Sequence, residues 1–460
     1  MKLGAVLLLT FSAFAQTAVR LPAYSRQILP NGVVLDVIPR RDIPLVTIRV
    51  TVRGGIESEP QQLGGLSSVV AECLRRGTAK RSAEQFSLEL DQLGASFNTS
   101  TGFEGTFISA EFLAKDFEKG LDLVADAIKN PAFPEAEVRK LIAQRVDGAK
   151  ALKDNPSAAA AEYYRAYYFG AQHPYGQPAD EISQSRIDRK DILAYHKQMF
   201  VGRNIIIVVA GDVESSVASA AVARATESVA AGTTYQWKKA PIHRQSGNRL
   251  AIVNKPDATE TQFRIGLPGV DRTDADRVPL WLVNTLFGGR FTSILNDALR
   301  VNSGLTYGAN SSYDKGHLPG RITINSYTGT QNTAKAVDMA IDLLKATAEK
   351  GITPEQLASA KTYLKGTYPV DHLETPDQLA EIVSEIELFD LNRGEVDDLF
   401  SRIDAVTLEK ANAVAKRYLN PANLTFLLMG DAKNFAAGVA KYAAEPLRIE
   451  ITEPGLRVSR

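Results

Sequence analysis

The 460-residue chain repeats itself once, and that repeat limits its architecture more than any other feature. "IIIVVAGDV" (205–213) closes the first half and "LTFLLMGDA" (424–432) the second, with Gly211 and Gly430 219 residues apart. "FPEAEVRKLI" aligns with "TPEQLASAKT", and "KDNPSAAAAE" with "LETPDQLAEI". Pro134 and Pro354, like Pro156 and Pro376, are separated by 220 residues, each proline in the first turn of a predicted helix, where it is tolerated. Three anchors at nearly one offset make a duplication, and a period this long makes each copy a domain, not a solenoid repeat. "AAGTTYQWKKAPIHRQSGN" (230–248) is polar, aperiodic and glycine-punctuated, as linkers are. The predicted division is a leader 1–15, an N-terminal domain 16–229, the linker 230–248 and a C-terminal domain 249–460.

Each copy reads as α+β. "GVVLDVIP" and "LVTIRVTVRGG" are strands. A helix follows over 65–76, and "SFNTSTGFEGTFISAEF" alternates with the period of strands. "FEKGLDLVADAIKN", "EAEVRKLIAQRVDGAKALKDN" and "AAAAEYYRAYYF" are helices, and the strand "NIIIVVAGDV" ends the copy. Strands grouped with helices over one face fit two-layer α/β-sandwich domains. Two such domains joined by a linker are expected to face each other across a cavity.

The opening "MKLGAVLLLTFSAFAQ" has one basic residue, a short apolar run and an Ala-Phe-Ala cleavage pattern, the signature of a secretory signal peptide. The mature chain is expected to be periplasmic, with no membrane anchor. Lys plus Arg and Asp plus Glu number 53 each, so the net charge is zero and nothing favours a nucleic-acid partner. A single cysteine, Cys73, excludes an internal disulfide and reads as a small buried hydrophobe.

"GGLSSVVAECLRRGT" (64–78) places Leu66, Val69, Val70, Cys73 and Leu74 on one helical stripe. Ser68 and Glu72, four apart, share another face, and Gly77 suits the stop. Here the chain resembles the pitrilysin-type (insulinase-like) zinc peptidases, in the branch of the mitochondrial processing peptidases, whose signature is H-x-x-E-H before a basic "GT" ending. Aligned by Arg76-Gly77-Thr78, the signature falls on Ser68-Val69-Val70-Ala71-Glu72. The likeness extends to "LPNGVVLDVIP", to "GASFNTST" and to the duplication itself. A zinc site needs about three protein ligands, and two histidines at i and i+4 with a glutamate base are what this helix would supply. Ser68 is a poor ligand, Ala71 cannot be a base, and Glu72 alone is one ligand. Asp147 is the nearest acid to where the family's further glutamate is expected. His173, His196, His243, His317 and His372 are scattered, so no metal site is expected in this chain.

In the second half, "LFGGRFTSILNDALRVNSGLTYGANSSY" (286–313) reads as Gly288-Gly289 opening a helix over 291–300, a break at Gly304 and a strand. It resembles the family's second-domain motif, an arginine at a helix end and a tyrosine seven residues later, here Arg300 and Tyr307. The resemblance implies that the arginine holds substrate carbonyls and the tyrosine donates to the scissile carbonyl across the cavity. "GASFNTSTGFEG" (94–105) resembles a substrate-pairing strand, but beside a degenerate helix it is expected to be structural.

The expectation is a non-catalytic, substrate-binding subunit of a heterodimeric zinc metalloendopeptidase that cleaves unfolded peptides. A homologous H-x-x-E-H partner would supply the zinc. A scaffold with no role in proteolysis is the alternative, and a free-standing hydrolase with another metal site is disfavoured for want of clustered ligands.

Overall fold

The computed structural model describes residues 18–240, 246–456 and 458; the leader 1–15 and His243 lie outside them. The first sheet contains β1 (Ser25–Ile28), β2 (Val34–Pro39), β3 (Leu45–Arg53), β4 (Ser96–Thr101), β5 (Gly105–Leu113) and β6 (Ile205–Gly211), in the order β1-β2-β6-β3-β5-β4. The second contains β7 (Arg249–Asn254), β8 (Glu260–Pro268), β9 (Ala309–Tyr313), β10 (Arg321–Gly329), β11 (Thr425–Gly430) and β12 (Leu447–Glu450), in the order β12-β7-β11-β8-β10-β9. Strand for strand, β2 to β6 and β7 to β11 follow one plan. Within these five strands each has one parallel pair, β2 with β6 and β7 with β11, and antiparallel pairs elsewhere, but the added edge strands differ: β1 runs antiparallel to β2 and β12 parallel to β7. The duplication read from three motifs is therefore a duplication of topology. Among the described residues, no helix or strand lies between Thr226 and Arg249.

Helices α1 (Leu66–Cys73), α2 (Ala83–Leu93), α3 (Phe117–Lys129), α4 (Glu135–Ala151) and α5 (Pro156–Phe169) belong to the first half. The apolar face of β3, Val46, Ile48, Val50 and Val52, joins α1 and α3 in one core. Its other face carries Thr47, Arg49, Thr51 and Arg53, and all four are buried too. The cover is the helix Pro376–Leu388 of the second half, which packs on β3 and β6. Arg49 Nη2 donates to Glu381 at 3.0 Å, and the Arg53 guanidinium donates to the carbonyls of Leu388 and Glu387 at 2.5 and 2.6 Å, satisfying the helix C-terminus.

The exchange is reciprocal. Helix α5 packs on β8 and β11 of the second sheet, where Ala159, Ala160, Tyr163 and Tyr164 share a core with Val253, Leu427 and Met429. Gly266 is required there, because a Cβ would lie 1.7 Å from the Tyr164 hydroxyl. Both exchanged helices start on the aligned prolines, Pro156 and Pro376, behind Asn155 and Thr375 caps. Each two-layer domain thus borrows a third layer from the other, and at this seam the halves are in direct contact.

Candidate functional site

Helix α1 keeps its frame. Leu66, Val69, Val70 and Cys73 are buried as the stripe requires, and burial pushes the Cys73 thiol up to about 12, leaving it unreactive. Its N-terminus starts on Gly65, which has no capping side chain of its own. Buried Glu59 substitutes: Oε2 accepts from Gly65 N at 2.9 Å, and Oε1 from Ser67 N at 2.9 Å and Ser67 Oγ at 2.5 Å.

The polar face of α1 is closed from within the chain. Ala71 is buried, and Ser68 and Glu72 are half-buried. The Glu72 carboxylate accepts from Arg145 Nη1 of α4 at 2.8 Å, and Arg145 Nε donates to Gln184 at 3.0 Å. A guanidinium therefore sits beside the one potential ligand of the helix. Asp147 points elsewhere: its side chain is 77% exposed, and among the described residues it pairs only with Lys150. Ser68, Ala71, Glu72 and Arg145 do not fit a divalent zinc ion, since a fixed cation stands where the metal's charge would be.

The histidines are used structurally. Burial holds His196 down at about 4, with a ring nitrogen 2.9 Å from the Ile128 carbonyl oxygen. His173 stacks on Phe169, and His372 packs on Tyr368. The His317 ring bonds the fully buried Glu57 of the first half, and its backbone N–H donates to Glu104 at 3.1 Å. Among the described residues no cluster of His, Cys, Asp and Glu has the geometry of a metal site.

The second-half motif is built differently from its sequence reading. Gly288-Gly289 closes a helix: Arg277–Asn284 continues as a π-helical segment, Thr285–Gly289. The next helix starts at Ile294, behind a Ser293 cap, and widens into a second π segment, Asp297–Asn302. π segments are uncommon and gather at functional sites. Arg300 lies in that segment, exposed, with its guanidinium carbon 4.8 Å over the Phe291 ring. Tyr307 is 79% exposed, and Phe291, whose ring lies under Arg300, and Val301, next to Arg300 in sequence, are 67% and 66% exposed.

The backbone under these side chains is tied down. Leu305 N donates to Leu299 O at 2.9 Å, Thr328 Oγ1 to Leu305 O at 2.6 Å, and Ala309 N to Asn296 Oδ1 at 3.2 Å. Buried Asn284 exchanges two hydrogen bonds with Ser311 of β9, at 3.0 and 2.7 Å. The Arg300 guanidinium and the Tyr307 hydroxyl, in contrast, make no hydrogen bond or ion pair among the described residues. No such bond joins either of them to Ser68, Ala71 or Glu72. The region is a rigid base presenting a free cation and a free phenol.

Sequence reasoning singled out Arg300 and Tyr307, which the structure leaves exposed, and passed over Arg145, Gln184 and Glu59. Nothing local marks these three; only the packing of α1 against its neighbours gives them a role.

Comparisons agree with this architecture. Residues 37–173 match the family described as "Insulinase (Peptidase family M16)", and residues 186–364, which include Arg300 and Tyr307, match "Peptidase M16 inactive domain". An uncharacterized zinc protease of Mycobacterium tuberculosis is 26% identical over 411 residues, covering 86% of this chain and 90% of its own. Another, of Bacillus subtilis, is 22% identical over 389 residues, covering 84% and 93%. Among solved structures, a peptidase M16 inactive domain from Pseudomonas fluorescens superposes with a TM-score of 0.83 at 21% identity, covering 89% of this chain and 98% of that one. A protease from Helicobacter pylori superposes with a TM-score of 0.79 at 20% identity, covering 89% and 100%. At these identities the two structures speak to the fold alone.

Proposed function

We propose a role that starts from one premise: the chain belongs to the insulinase (peptidase M16) family. It is the non-catalytic, substrate-binding subunit of a two-chain zinc endopeptidase that acts on unfolded peptides. The partner is a homologous chain bearing H-x-x-E-H, which brings the zinc and the base. This chain brings Arg300 and Tyr307, and its leader 1–15 directs it to the periplasm.

One observation carries the reading. The one carboxylate on the polar face of α1 is taken by Arg145, whereas Arg300 and Tyr307 stand exposed, with no hydrogen bond or ion pair among the described residues. An unpaired arginine fork suits the backbone carbonyls of an extended peptide. A phenol hydroxyl held by fixed backbone suits a carbonyl oxygen gaining negative charge, and such donors are worth more when preorganised. A scaffold role would leave both groups without work.

The test is to purify the chain alone and with a candidate H-x-x-E-H partner, then measure zinc content and peptide cleavage. The lone chain should hold no stoichiometric zinc and cleave nothing, and the pair should cleave. Tyr307→Phe should lower kcat of the pair by roughly a hundredfold, the effect of removing one oxyanion donor. Stoichiometric zinc with cleavage by the lone chain would overturn the reading. An active pair indifferent to Tyr307→Phe would leave only the scaffold role.

A further inference from the structure

A cavity of about 240 Å³ lies in the second half, apart from both surfaces described above. It opens between the helices Arg277–Asn284, Pro354–His372 and Pro376–Leu388 and the end of β9. Its lining is mixed: Trp281, Tyr313, Tyr368, Val278 and Ile382 stand among charged and polar side chains.

Its polar groups divide sharply. The carboxylates are already engaged: Glu385 by Arg272 at 2.8 Å, Glu395 by Arg277 at 2.5 Å, and Glu381 by Arg49 of the first half at 3.0 Å. Asp371, exposed, is the remaining acid of the described lining. Other donors are not engaged, although Arg272, Arg277 and Gln378 donate to Glu385, Glu395 and the Val370 carbonyl. Lys315 forms no ion pair among the described residues; its ammonium lies 5.3 Å over the Trp281 ring and 5.8 Å over Tyr313. The hydroxyls of Tyr313 and Tyr368 and the ring nitrogens of His372 make no hydrogen bond among the described residues. Arg272 Nε is buried and likewise unpartnered. Free donors beside aromatic and branched side chains, with three of the four lining acids paired, suit an anion with an apolar body.

Lys315 is also held in place. It belongs to the loop 314–320, which both halves hold, the second through Arg272 and the first through Glu104. Gly316 O accepts from Arg272 N at 2.8 Å, His317 N donates to Glu104 at 3.1 Å, and a Cβ at Gly316 would lie 2.2 Å from Glu104 Oε1. The side chain is exposed, but into the cavity it lines. The surrounding protein, with Arg272 and Arg277 adding like charge, holds the ammonium below the usual lysine pKa, although Glu385 opposes this. An anion beside Lys315 would relieve that cost.

We propose that this cavity binds a small carboxylate carried on an aromatic or branched apolar group, with Lys315 as its counter-ion and Tyr313 and Tyr368 as further donors. The volume is below the range of drug-sized pockets, so the ligand is about one amino-acid residue in size. That chemistry is offered by a free small acid and by the C-terminal residue of a peptide. The inference does not depend on the peptidase role.

Titration calorimetry on the full chain tests it, with N-acetylphenylalanine, its amide, and a hexapeptide ending in phenylalanine as free acid or as amide. The acids should bind and the amides should bind at least roughly tenfold more weakly. Lys315→Met should weaken the acids by roughly tenfold while leaving the thermal midpoint within a degree or so, and Tyr313→Phe should weaken them less. Binding of the hexapeptide acid as tightly as the small acid assigns the site to chain termini, and binding of the small acid only assigns it to free acids; both support the site. Acid and amide binding alike, no binding of either up to about 10 mM, or native affinity in Lys315→Met would overturn it.

Discussion

Helix α1 and the segment 291–307 stand at the same stage of the duplicated fold, each between an inner strand of its sheet and the edge strand, β4 or β9. They treat polar groups in opposite ways. Around α1, Glu59 is buried as a cap and Glu72 is neutralised by Arg145. Elsewhere in the same half, Asp36 of β2 is buried, and neither carboxyl oxygen has a hydrogen-bond partner among the described residues. In the second half, Arg300 and Tyr307 are left to solvent although the backbone around them is tied down at Leu299, Leu305 and Ala309. One copy has turned its polar residues inward to hold structure, and the other keeps them available. Duplicated domains need not share work: the frame is common, and the contents of the polar face decide the use.

The largest expected effect lies with the most completely hidden group. Burial first, then the charge of Glu387, raises the Asp36 carboxyl to about 7, with Arg26 opposing. Its unfolded value is near 3.8. Between those values the folded chain keeps a proton that the unfolded chain releases, so stability falls as pH rises from about 4 to about 7. Above that window the full cost is present, about 4 kcal/mol at about 1.4 kcal/mol per pH unit. Asp36→Asn should therefore remove this loss. In urea unfolding, the variant's stability should change between pH 5 and pH 8.5 by several kcal/mol less than the native chain's. Equal pH slopes in the two proteins would show that Asp36 is not hidden as described.

Much of the frame was legible in the sequence, because two offsets and two periodicities carry it. The aligned prolines start the exchanged helices, and alternation in "SFNTSTGFEGTFISAEF" marks the β4–β5 hairpin. What was not legible depends on distant contacts. The Thr and Arg face of β3 suits an open face in a two-layer domain, yet it is buried under a helix more than 300 residues later. Arg145 is one basic residue among several on α4 until that helix meets α1. The glycine pair Gly288-Gly289 gave the wrong sense, since it ends a π-helical extension and does not open a helix, a geometry with no periodic signature. Arg300 and Tyr307 were legible by resemblance, but their lack of partners was not.

A smaller effect sharpens the contrast at α1. The side chains of Arg145 and Glu72 are 28% and 36% exposed, so solvent screens their pair and it is worth at most about 1 kcal/mol. Arg145→Ala should cost no more than that, and a double-mutant cycle with Glu72→Ala should recover a coupling of the same size. Removing the cation still leaves a single carboxylate, so Arg145→Ala should bind no stoichiometric zinc after dialysis against a weak chelator. Metal in that variant would mean that ligands beyond Glu72 converge there and that α1 is not a closed site.

The smallest effect is the sharpest test of the open side. Arg300 and Tyr307 are exposed, and neither makes a hydrogen bond or ion pair within the described chain, Arg300 lying only over the equally exposed Phe291. Folding therefore gains almost nothing from their polar ends, and surface substitutions of this kind stay within about 0.5 kcal/mol. Arg300→Ala and Tyr307→Phe should unfold in urea at the native midpoint, with unchanged slope. Asn296→Ala should not. It removes the side chain that accepts from Ala309 N–H and donates to Phe291 O, leaving a buried donor unmet at a cost of about 1–3 kcal/mol. If Tyr307→Phe or Arg300→Ala destabilises the lone chain as much as Asn296→Ala does, these side chains are structural and the two halves differ less than their surfaces suggest. If stability is untouched while the activity of the two-chain complex falls, the groups are held ready for something outside this chain.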